Sequence, residues 1–139
     1  MSIFEKWDLE SNILDAIKSR GWNEPTEIQL DSIPLARKGK DIVGQAKTGS
    51  GKTAAFGIPI IEKCQKKGYP QSIILCPTRE LAVQVTEELE ILQGKKGLKI
   101  VSVYGGTDIE KQAKVLSKGC DIVVGTPGRI MDHIRQGTF

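Results

Sequence analysis

The stretch AKTGSGKT at 46–53, together with the residues on either side of it, predicts the fold of this chain. The apolar run DIVGQ at 41–45 precedes it and is suited to a short buried strand, and a helix-forming run begins at Lys52. Because Gly49 and Gly51 have no side chain, the backbone can turn tightly and direct its N–H groups inward. A helix that begins near Lys52 adds the positive end of its dipole. The stretch therefore predicts a phosphate-binding loop between a strand and a helix.

This loop predicts that the protein binds a nucleoside triphosphate. Lys52 can reach the terminal phosphates and the Thr53 hydroxyl can bind Mg²⁺, so both are candidates for a catalytic role. The predicted phosphate-site residues are Ala46, Lys47, Thr48, Gly49, Ser50, Gly51, Lys52 and Thr53. The general pattern G-x-x-x-x-G-K-[ST] is incomplete, because Ala46 stands where the first glycine belongs. Residues 49–54 also fit the dinucleotide pattern, but the next apolar run, at 72–76, has no acid at its end to bind a ribose.

Composition limits the other possibilities. The 139 residues suit one domain, and a net charge of +3 does not by itself indicate nucleic acid. The lysine clusters at 66–67 and 95–99 are interpreted as solvated loop or helix ends. The sequence contains no apolar run of about 18 residues, so we expect no membrane span, and its broken, acidic start does not resemble a signal peptide. Cys64, Cys76 and Cys120 lack metal-ligand spacing, so we expect buried reduced thiols and a cytoplasmic protein. His133 has no catalytic or metal-binding residues near it in sequence and is predicted to lie on the surface.

Helix and strand patterns alternate along the chain. Helices are predicted at 10–20, 26–37, 52–67, from 78, at 108–117 and from 126, and strands at 41–45, 72–76, 99–104 and 121–124. Because the strand runs are continuously apolar, we expect the strands to be buried on both faces, in a mostly parallel sheet covered by helices on both sides. The predicted fold is α/β, with a helical segment at 1–40 packed on a partial P-loop domain at 41–139, as one structural unit.

Six ordered motifs resemble those of the DEAD-box ATP-dependent RNA helicases, in the first part of their first RecA-like domain. They are Phe4 with Gly21-Trp22 and PTEIQ at 25–29 (Q motif), AKTGSGKT (motif I) with AAFGIP at 54–59, PTRELA at 77–82 (motif Ia), Gly105-Gly106 (GG doublet) and TPGR at 126–129 (motif Ib). The family also has alanine at the first position of motif I, which accounts for Ala46.

The resemblance implies that the Q-motif residues bind adenine. By this resemblance, Gln29 contacts the edge of the base and Phe4 stacks on its face. Trp22 packs behind them as a supporting residue, and Thr26 lies beside them. From the residues alone, the Gln29 amide can offer adenine both a donor and an acceptor. Closing a capping box with Thr26 would explain the glutamine equally well.

Three further motifs predict a track for the RNA backbone. Arg79 and Arg129 lie at helix starts after predicted strands, at the sheet end where open α/β sheets bind ligands, and helix N-termini favour phosphate. The alternative for each is an ordinary capped helix start. The predicted RNA-binding residues are Pro77, Thr78, Arg79, Gly105, Gly106, Thr126, Pro127, Gly128 and Arg129. Contacts with the backbone carry no base information, so sequence-independent binding is expected.

Hydrolysis requires an acid at the end of a buried strand to hold Mg²⁺, and none of the predicted strands ends in one. The resemblance agrees, because the family's DEAD and SAT motifs and its second RecA-like domain would come after Phe139. We therefore expect the parent helicase to use ATP and Mg²⁺, and the 139-residue chain alone to be inactive and to expose a sheet edge through which it can self-associate. The alternatives are a stand-alone ATP- or RNA-binding module, or another P-loop enzyme, which would leave the Q-like and arginine motifs unexplained.

Overall fold

The computed structural model describes residues 1–47 and 49–139. Within these residues the chain forms seven helices and three strands. In chain order they are α1 (Ile3–Lys6), α2 (Ser11–Ser19), α3 (Glu27–Arg37), α4 (Lys52–Lys63), β1 (Ser72–Leu75), α5 (Arg79–Gln93), β2 (Ile100–Val103), α6 (Ile109–Ser117), β3 (Ile122–Gly125) and α7 (Pro127–Gln136). Most predicted elements are therefore confirmed to within a few residues, although α4 ends at Lys63 and not near residue 67.

Strand β3 is the centre of the parallel sheet, whose strand order is β1-β3-β2. All four residues of β3 are buried, as its continuous apolar sequence predicts. Leu75 at the end of β1 and Val103 at the end of β2 are both paired with Gly125, so the three strands end in one row. The predicted α/β class with a parallel sheet is confirmed.

The chain divides into two compact units. The first contains Met1–Lys63 and Ile91–Lys96, and in it α3 packs on α4. The second contains Cys64–Glu90 and Gly97–Phe139, and its core is formed by Val101, Val103, Leu116, Cys120, Val123 and Ile130. The predicted boundary near residue 40 stays a prediction. All three cysteines are buried and none forms a disulfide, as expected. Among the described residues no helix is long and apolar enough to cross a membrane.

Asp121 organises the end of the sheet at which the strands begin. Its buried carboxylate accepts hydrogen bonds from the backbone N–H groups of Lys67 (3.0 Å), Gly68 (2.9 Å) and Lys99 (2.8 Å), and from the Gln71 amide (3.1 Å). Burial acts to raise the pKa of Asp121, but these hydrogen bonds outweigh it and hold the pKa below its usual value. Asp121 is therefore a structural acid that joins the segments preceding β1 and β2.

The predicted strand at 41–45 is wrong. These residues are exposed and lie outside any strand, and the exposed fraction of Val43 reaches 98%. A strand needs a neighbour to satisfy its backbone N–H and C=O groups, and the described strands pair only with one another. The prediction that β1 is buried on both faces is also wrong. Ile73 and Leu75 are 46% and 58% exposed, whereas Ser72 and Ile74 are less so. The exposed side chains alternate along the strand and therefore share one face of β1, which is not covered by the described residues.

Two polar residues that we expected at the surface are instead mostly buried. His133 is completely buried on the inner side of α7. Lys96, predicted to be a solvated loop lysine, pairs with the Glu10 carboxylate at 3.0 Å and donates to the backbone carbonyl of Ile61 in the last turn of α4. A cation at that position satisfies helix-end carbonyls and interacts favourably with the helix dipole.

Candidate functional site

The phosphate loop has the backbone geometry that its glycines predict. Gly49 and Gly51 have φ angles of +81° and +87°, and the Ser50 N–H donates to the Lys47 carbonyl at 3.2 Å. Helix α4 begins immediately afterwards at Lys52. The Ser50 hydroxyl oxygen is buried and has no hydrogen-bond partner among the described residues. An orphaned hydroxyl beside a helix N-terminus fits the binding of an anion such as a phosphate group.

Gln29 connects the first turn of α3 to this loop. Its Oε1 accepts from the Thr26 N–H at 3.0 Å, which confirms the predicted capping box, and its Nε2 donates to the Gly51 carbonyl at 3.2 Å. The same carbonyl accepts from the Ala55 N–H at 3.1 Å in the first turn of α4. The buried glutamine thus holds two helix starts together. Its contact with adenine stays a prediction, for which one N–H and one acceptor position of the amide remain.

The other predicted nucleotide residues form separate groups. Phe4 is buried with its ring edge-on to Trp7, with 5.9 Å between ring centroids, and Trp22 lies beneath the Arg20 guanidinium at 4.5 Å. Phe4 and Trp22 line one cavity of about 440 Å³, whereas Lys52 lines a largely apolar cavity of about 530 Å³. Gln29 lines neither of these cavities. Stacking of Phe4 on a base stays a prediction, and it would require the buried ring to become accessible.

The other described loop residues differ in their exposure to solvent. Lys47, Gly49 and Lys52 are exposed, and Ala46 and Thr53 are partly buried. Thr48, which was also predicted to contact phosphate, lies outside the described residues.

In the second unit, the three predicted RNA motifs follow the common row in which the strands end. The backbone pairing continues for one residue, because the Cys76 N–H donates to the Gly125 carbonyl and the Thr126 N–H to the Val103 carbonyl. Motif Ia after β1, the GG doublet after β2 and motif Ib after β3 therefore begin at the same end of the sheet. Most of their predicted RNA-binding residues are exposed, namely Pro77, Thr78, Arg79, Gly105, Gly106, Pro127 and Gly128.

Arg79 contacts the loop that contains the glycine doublet. Its guanidinium carbon lies 4.8 Å from the centroid of the Tyr104 ring, a cation–π arrangement. A Cβ atom added to Gly106 would lie 3.9 Å from Arg79 Nη1. Two sequence motifs that are about 25 residues apart thus touch, and the exposed Arg79 lies beside the exposed glycines.

Arg129 contacts the same loop through Thr107. Its Nη1 donates to the Thr107 carbonyl at 3.1 Å and to the Gln112 side chain at 2.9 Å, and its Nε lies 3.6 Å from the Asp132 carboxylate. Only 11% of the Arg129 side chain is exposed, so most of its surface contacts protein. Sequence patterns did not identify Tyr104, Thr107 or Gln112 as site residues. Gln112, a polar residue one helical turn into α6, belongs to none of the sequence motifs.

Residues 26–139 match the family model of the DEAD/DEAH box helicases. The chain belongs to this family. It is 48% identical over its whole length to the DEAD-box ATP-dependent RNA helicase CshA of Geobacillus kaustophilus, of which it covers 30%. It is 53% identical over 98% of its length to the probable ATP-dependent RNA helicase MJ0669 of Methanocaldococcus jannaschii, of which it covers 37%. The chain thus spans about a third of the length of the curated relatives that it matches.

Solved structures give the same family assignment. The crystal structure of a DEAD box protein from the hyperthermophile Methanococcus jannaschii superposes with a TM-score of 0.89 at 54% identity, covering 94% of this chain and 36% of that one. A hypothetical ATP-dependent RNA helicase from Sulfolobus tokodaii gives a TM-score of 0.84 at 40% identity. These similarities confirm that the DEAD-box chain has the predicted α/β fold of a partial RecA-like domain.

The contact between Gln29 and the phosphate loop predicts a difference between two glycines. A Cβ at Gly51 would collide with Gln29 Nε2 and lie 3.0 Å from Thr26 Oγ1, whereas a Cβ at Gly49 would meet nothing within 4 Å. Both positions have positive φ, so alanine is strained at each by about 1–2 kcal/mol. We expect Gly51→Ala to lower the free energy of unfolding by a further ~1–3 kcal/mol relative to Gly49→Ala, measured by urea denaturation.

Replacement of the colliding side chain provides the control for this comparison. In a Gln29→Ala background the additional cost of Gly51→Ala over Gly49→Ala should largely disappear, because the amide that the new Cβ would meet is gone. Equal effects of the two glycine substitutions in the unmodified chain would contradict the close contact between Gln29 and Gly51.

Proposed function

We propose that this chain is the part of an ATP-dependent RNA helicase that binds the phosphates of ATP and one side of the RNA backbone. The main support for the proposal is that three motifs meet at the loop at 104–107. Arg79 stacks on Tyr104 of this loop, and Arg129 donates a hydrogen bond to the Thr107 carbonyl. Cations, exposed glycines and helix starts at one end of a parallel sheet suit a sugar–phosphate chain. The names of the matched relatives support the same activity.

The phosphate loop supports the nucleotide part of the proposal. The buried Ser50 hydroxyl has no hydrogen-bond partner within residues 1–47 and 49–139. Together with the two glycines at positive φ and the start of α4 at Lys52, it fits a triphosphate. When bound, Lys52 would contact the terminal phosphates and Thr53 would provide a hydroxyl ligand for Mg²⁺, whose charge would offset that of the phosphate oxygens. We propose that Gln29 selects adenine, because its amide can face a donor and an acceptor at once.

The residues of this chain support binding better than hydrolysis. Of the described strands, β1 leads into Cys76, β2 into Tyr104 and β3 into Thr126, so none ends in the acid that Mg²⁺-dependent hydrolysis requires. We propose that hydrolysis requires further segments of the helicase, among them a second RecA-like domain. The same observation favours a second candidate function, a binding module for adenine nucleotide or RNA without catalysis. RNA-stimulated phosphate release by the chain alone, abolished by Lys52→Ala, would exclude it.

Two further proposals concern the chain as a whole. None of the three buried cysteines forms a disulfide, which suits a reducing compartment, and we propose the cytoplasm. The outer edge of β1 has no strand partner among the described residues, and its sequence contains neither a charge nor a proline to prevent pairing. We propose that two copies of the chain associate through this edge.

The nucleotide proposal predicts adenine-selective binding. In calorimetric titrations with Mg²⁺, the chain should bind ADP at least about tenfold more tightly than GDP, because guanine offers acceptors where adenine offers a donor and an acceptor. Lys52→Ala should remove binding, whereas Lys38→Ala, at an exposed lysine after α3, should not. Equal affinity for both nucleotides would contradict the role of Gln29, and binding of neither would contradict a preformed phosphate site.

The RNA proposal predicts that the two arginines act together. The double variant Arg79→Ala/Arg129→Ala should bind a labelled single-stranded oligouridine about tenfold or more weakly in fluorescence anisotropy, and the remaining binding should depend less steeply on salt. Arg135→Ala is the matched control, since Arg135 is an exposed arginine in the last turn of α7. Unchanged affinity in the double variant would remove the claim of an RNA track.

The proposal of self-association predicts a concentration-dependent sedimentation coefficient. Leu75→Lys should shift the chain towards monomer, because a charged, strongly hydrated side chain on an edge strand opposes strand pairing. Ile91→Lys is the control, since Ile91 has a similar exposed fraction but lies in α5. A chain that is strictly monomeric at high concentration would contradict the proposal.

A further inference from the structure

The carboxamide of Gln112 in α6 lies where several polar segments of the second unit meet. Its Nε2 donates to the Tyr104 carbonyl at 3.0 Å and to the Thr107 hydroxyl at 2.6 Å. Its Oε1 accepts from Arg129 Nη1 at 2.9 Å and lies 3.2 Å from His133 Nε2. All four hydrogen-bonding positions of the amide are therefore occupied.

The partners allow only one orientation of this amide. Arg129 has donors and no acceptor, and the Tyr104 carbonyl has acceptors and no donor. If the oxygen and nitrogen of Gln112 were exchanged, an N–H group would face the guanidinium and an oxygen would face a carbonyl. Both pairs would repel, so the network itself assigns the positions of the amide atoms.

His133 completes the network as a fixed donor. Because Gln112 Oε1 can only accept, Nε2 of His133 carries the hydrogen, and Nδ1 is left to accept from the Thr138 hydroxyl at 3.4 Å. Burial lowers the pKa of His133 below its ordinary value, and the charge of Arg129 adds to this while that of Asp132 opposes it. The neutral ring is packed against protein on the inner side of α7.

We propose that Gln112 is a positioning residue that holds Arg129 and the loop at 104–107 in one arrangement, with His133 fixing the orientation of its amide. The inference rests on the proposed RNA function, because it assigns to Gln112 the preorganisation of the proposed RNA-binding surface. Arg129 also donates to the Thr107 carbonyl, so the arginine and the loop are joined both directly and through Gln112. Ordering this surface before RNA arrives reduces the entropy lost on binding.

The first experiment tests the positioning without RNA. In Gln112→Met, which keeps the length of the side chain but loses every hydrogen bond, we expect shifted and broadened NMR signals for the backbone amides of Gly105 and Gly106 and for the Arg129 Nε–H group. Gln136→Met is the matched control, because Gln136 is an exposed glutamine at the end of the neighbouring α7. Unchanged signals in Gln112→Met would overturn the inference whatever the affinity for RNA.

The second experiment tests the consequence for RNA. Gln112→Met should weaken binding of the labelled oligouridine by about fivefold or more. The loss should be smaller in an Arg129→Ala background, because part of the effect of Gln112 passes through the arginine and the rest through its contacts with the loop. The affinity for ADP should be unchanged, since the predicted nucleotide residues lie in the other unit. An additive loss in the double variant would overturn positioning through Arg129.

A pair of histidine variants tests the role of the ring. A glutamine amide can reach the position of the histidine Nε2 donor, whereas an asparagine amide is shorter and reaches that of Nδ1. We therefore expect His133→Gln to retain more RNA affinity than His133→Asn. Because asparagine also leaves a larger void than glutamine, His133→Met, which matches glutamine in length but has no donor, is the control and should lose affinity. Equal affinities would overturn the role given to His133.

The outcomes separate this inference from the proposed function. If Arg79→Ala and Arg129→Ala leave RNA binding unchanged, the proposed RNA track fails, while the NMR experiment still decides whether Gln112 orders the loop. If Arg129→Ala weakens RNA binding and Gln112→Met does not, only the inference about Gln112 fails.

Discussion

The pairing of β3 with a strand on each side is the constraint on which the second unit depends. Gly125 is paired with Leu75 on one side and Val103 on the other, so three chain segments leave the sheet in one row. At the opposite end, the Asp121 carboxylate accepts from the Lys99 N–H before β2 and from Lys67 N–H before β1. Because a shift of one residue would reverse which side chains face the core, this anchoring at both ends sets the register and with it the positions of the polar loops.

Two glutamines have parallel tasks in the two units. Gln29 joins the capping box of α3 to the phosphate loop, and Gln112 joins Arg129 to the loop at 104–107. An amide suits such a position because it donates and accepts without a net charge, so it can be buried among backbone groups at a lower cost than a carboxylate or an ammonium group. In each unit the loop predicted to meet a phosphate is thus held by a neutral side chain, which leaves the cationic side chains to contribute charge.

Local sequence patterns predicted most of the helices and the central strand, and non-local pairing explains what they missed. Periodicity and capping residues are contained in a short window, as at Thr26 and at Asp108, whose side chain accepts from the Glu110 N–H at 2.9 Å. The run at 41–45 has a strand's composition, but a strand also requires a neighbour that composition does not reveal. His133 was wrongly predicted to lie on the surface, because only the absence of catalytic or metal-binding residues near it in sequence was considered. Its spacing of three from the buried Ile130 is the available signal that it faces inward.

In the candidate site, too, local sequence patterns were predictive and non-local contacts were not. Motifs identified the loops, but the partners that hold them, such as Gln112, come from elements that only the fold brings together.

The two arginines differ in their exposure and in how many partners they already have. Arg79 is exposed and touches an aromatic face, so its charge is free to meet a phosphate. Arg129 is 11% exposed and already donates to Thr107 and Gln112, so any phosphate contact must use its remaining donors and a rigid guanidinium. Arg79 therefore suits long-range attraction of a polyanion, whereas Arg129 suits recognition of a phosphate group in one fixed position and orientation.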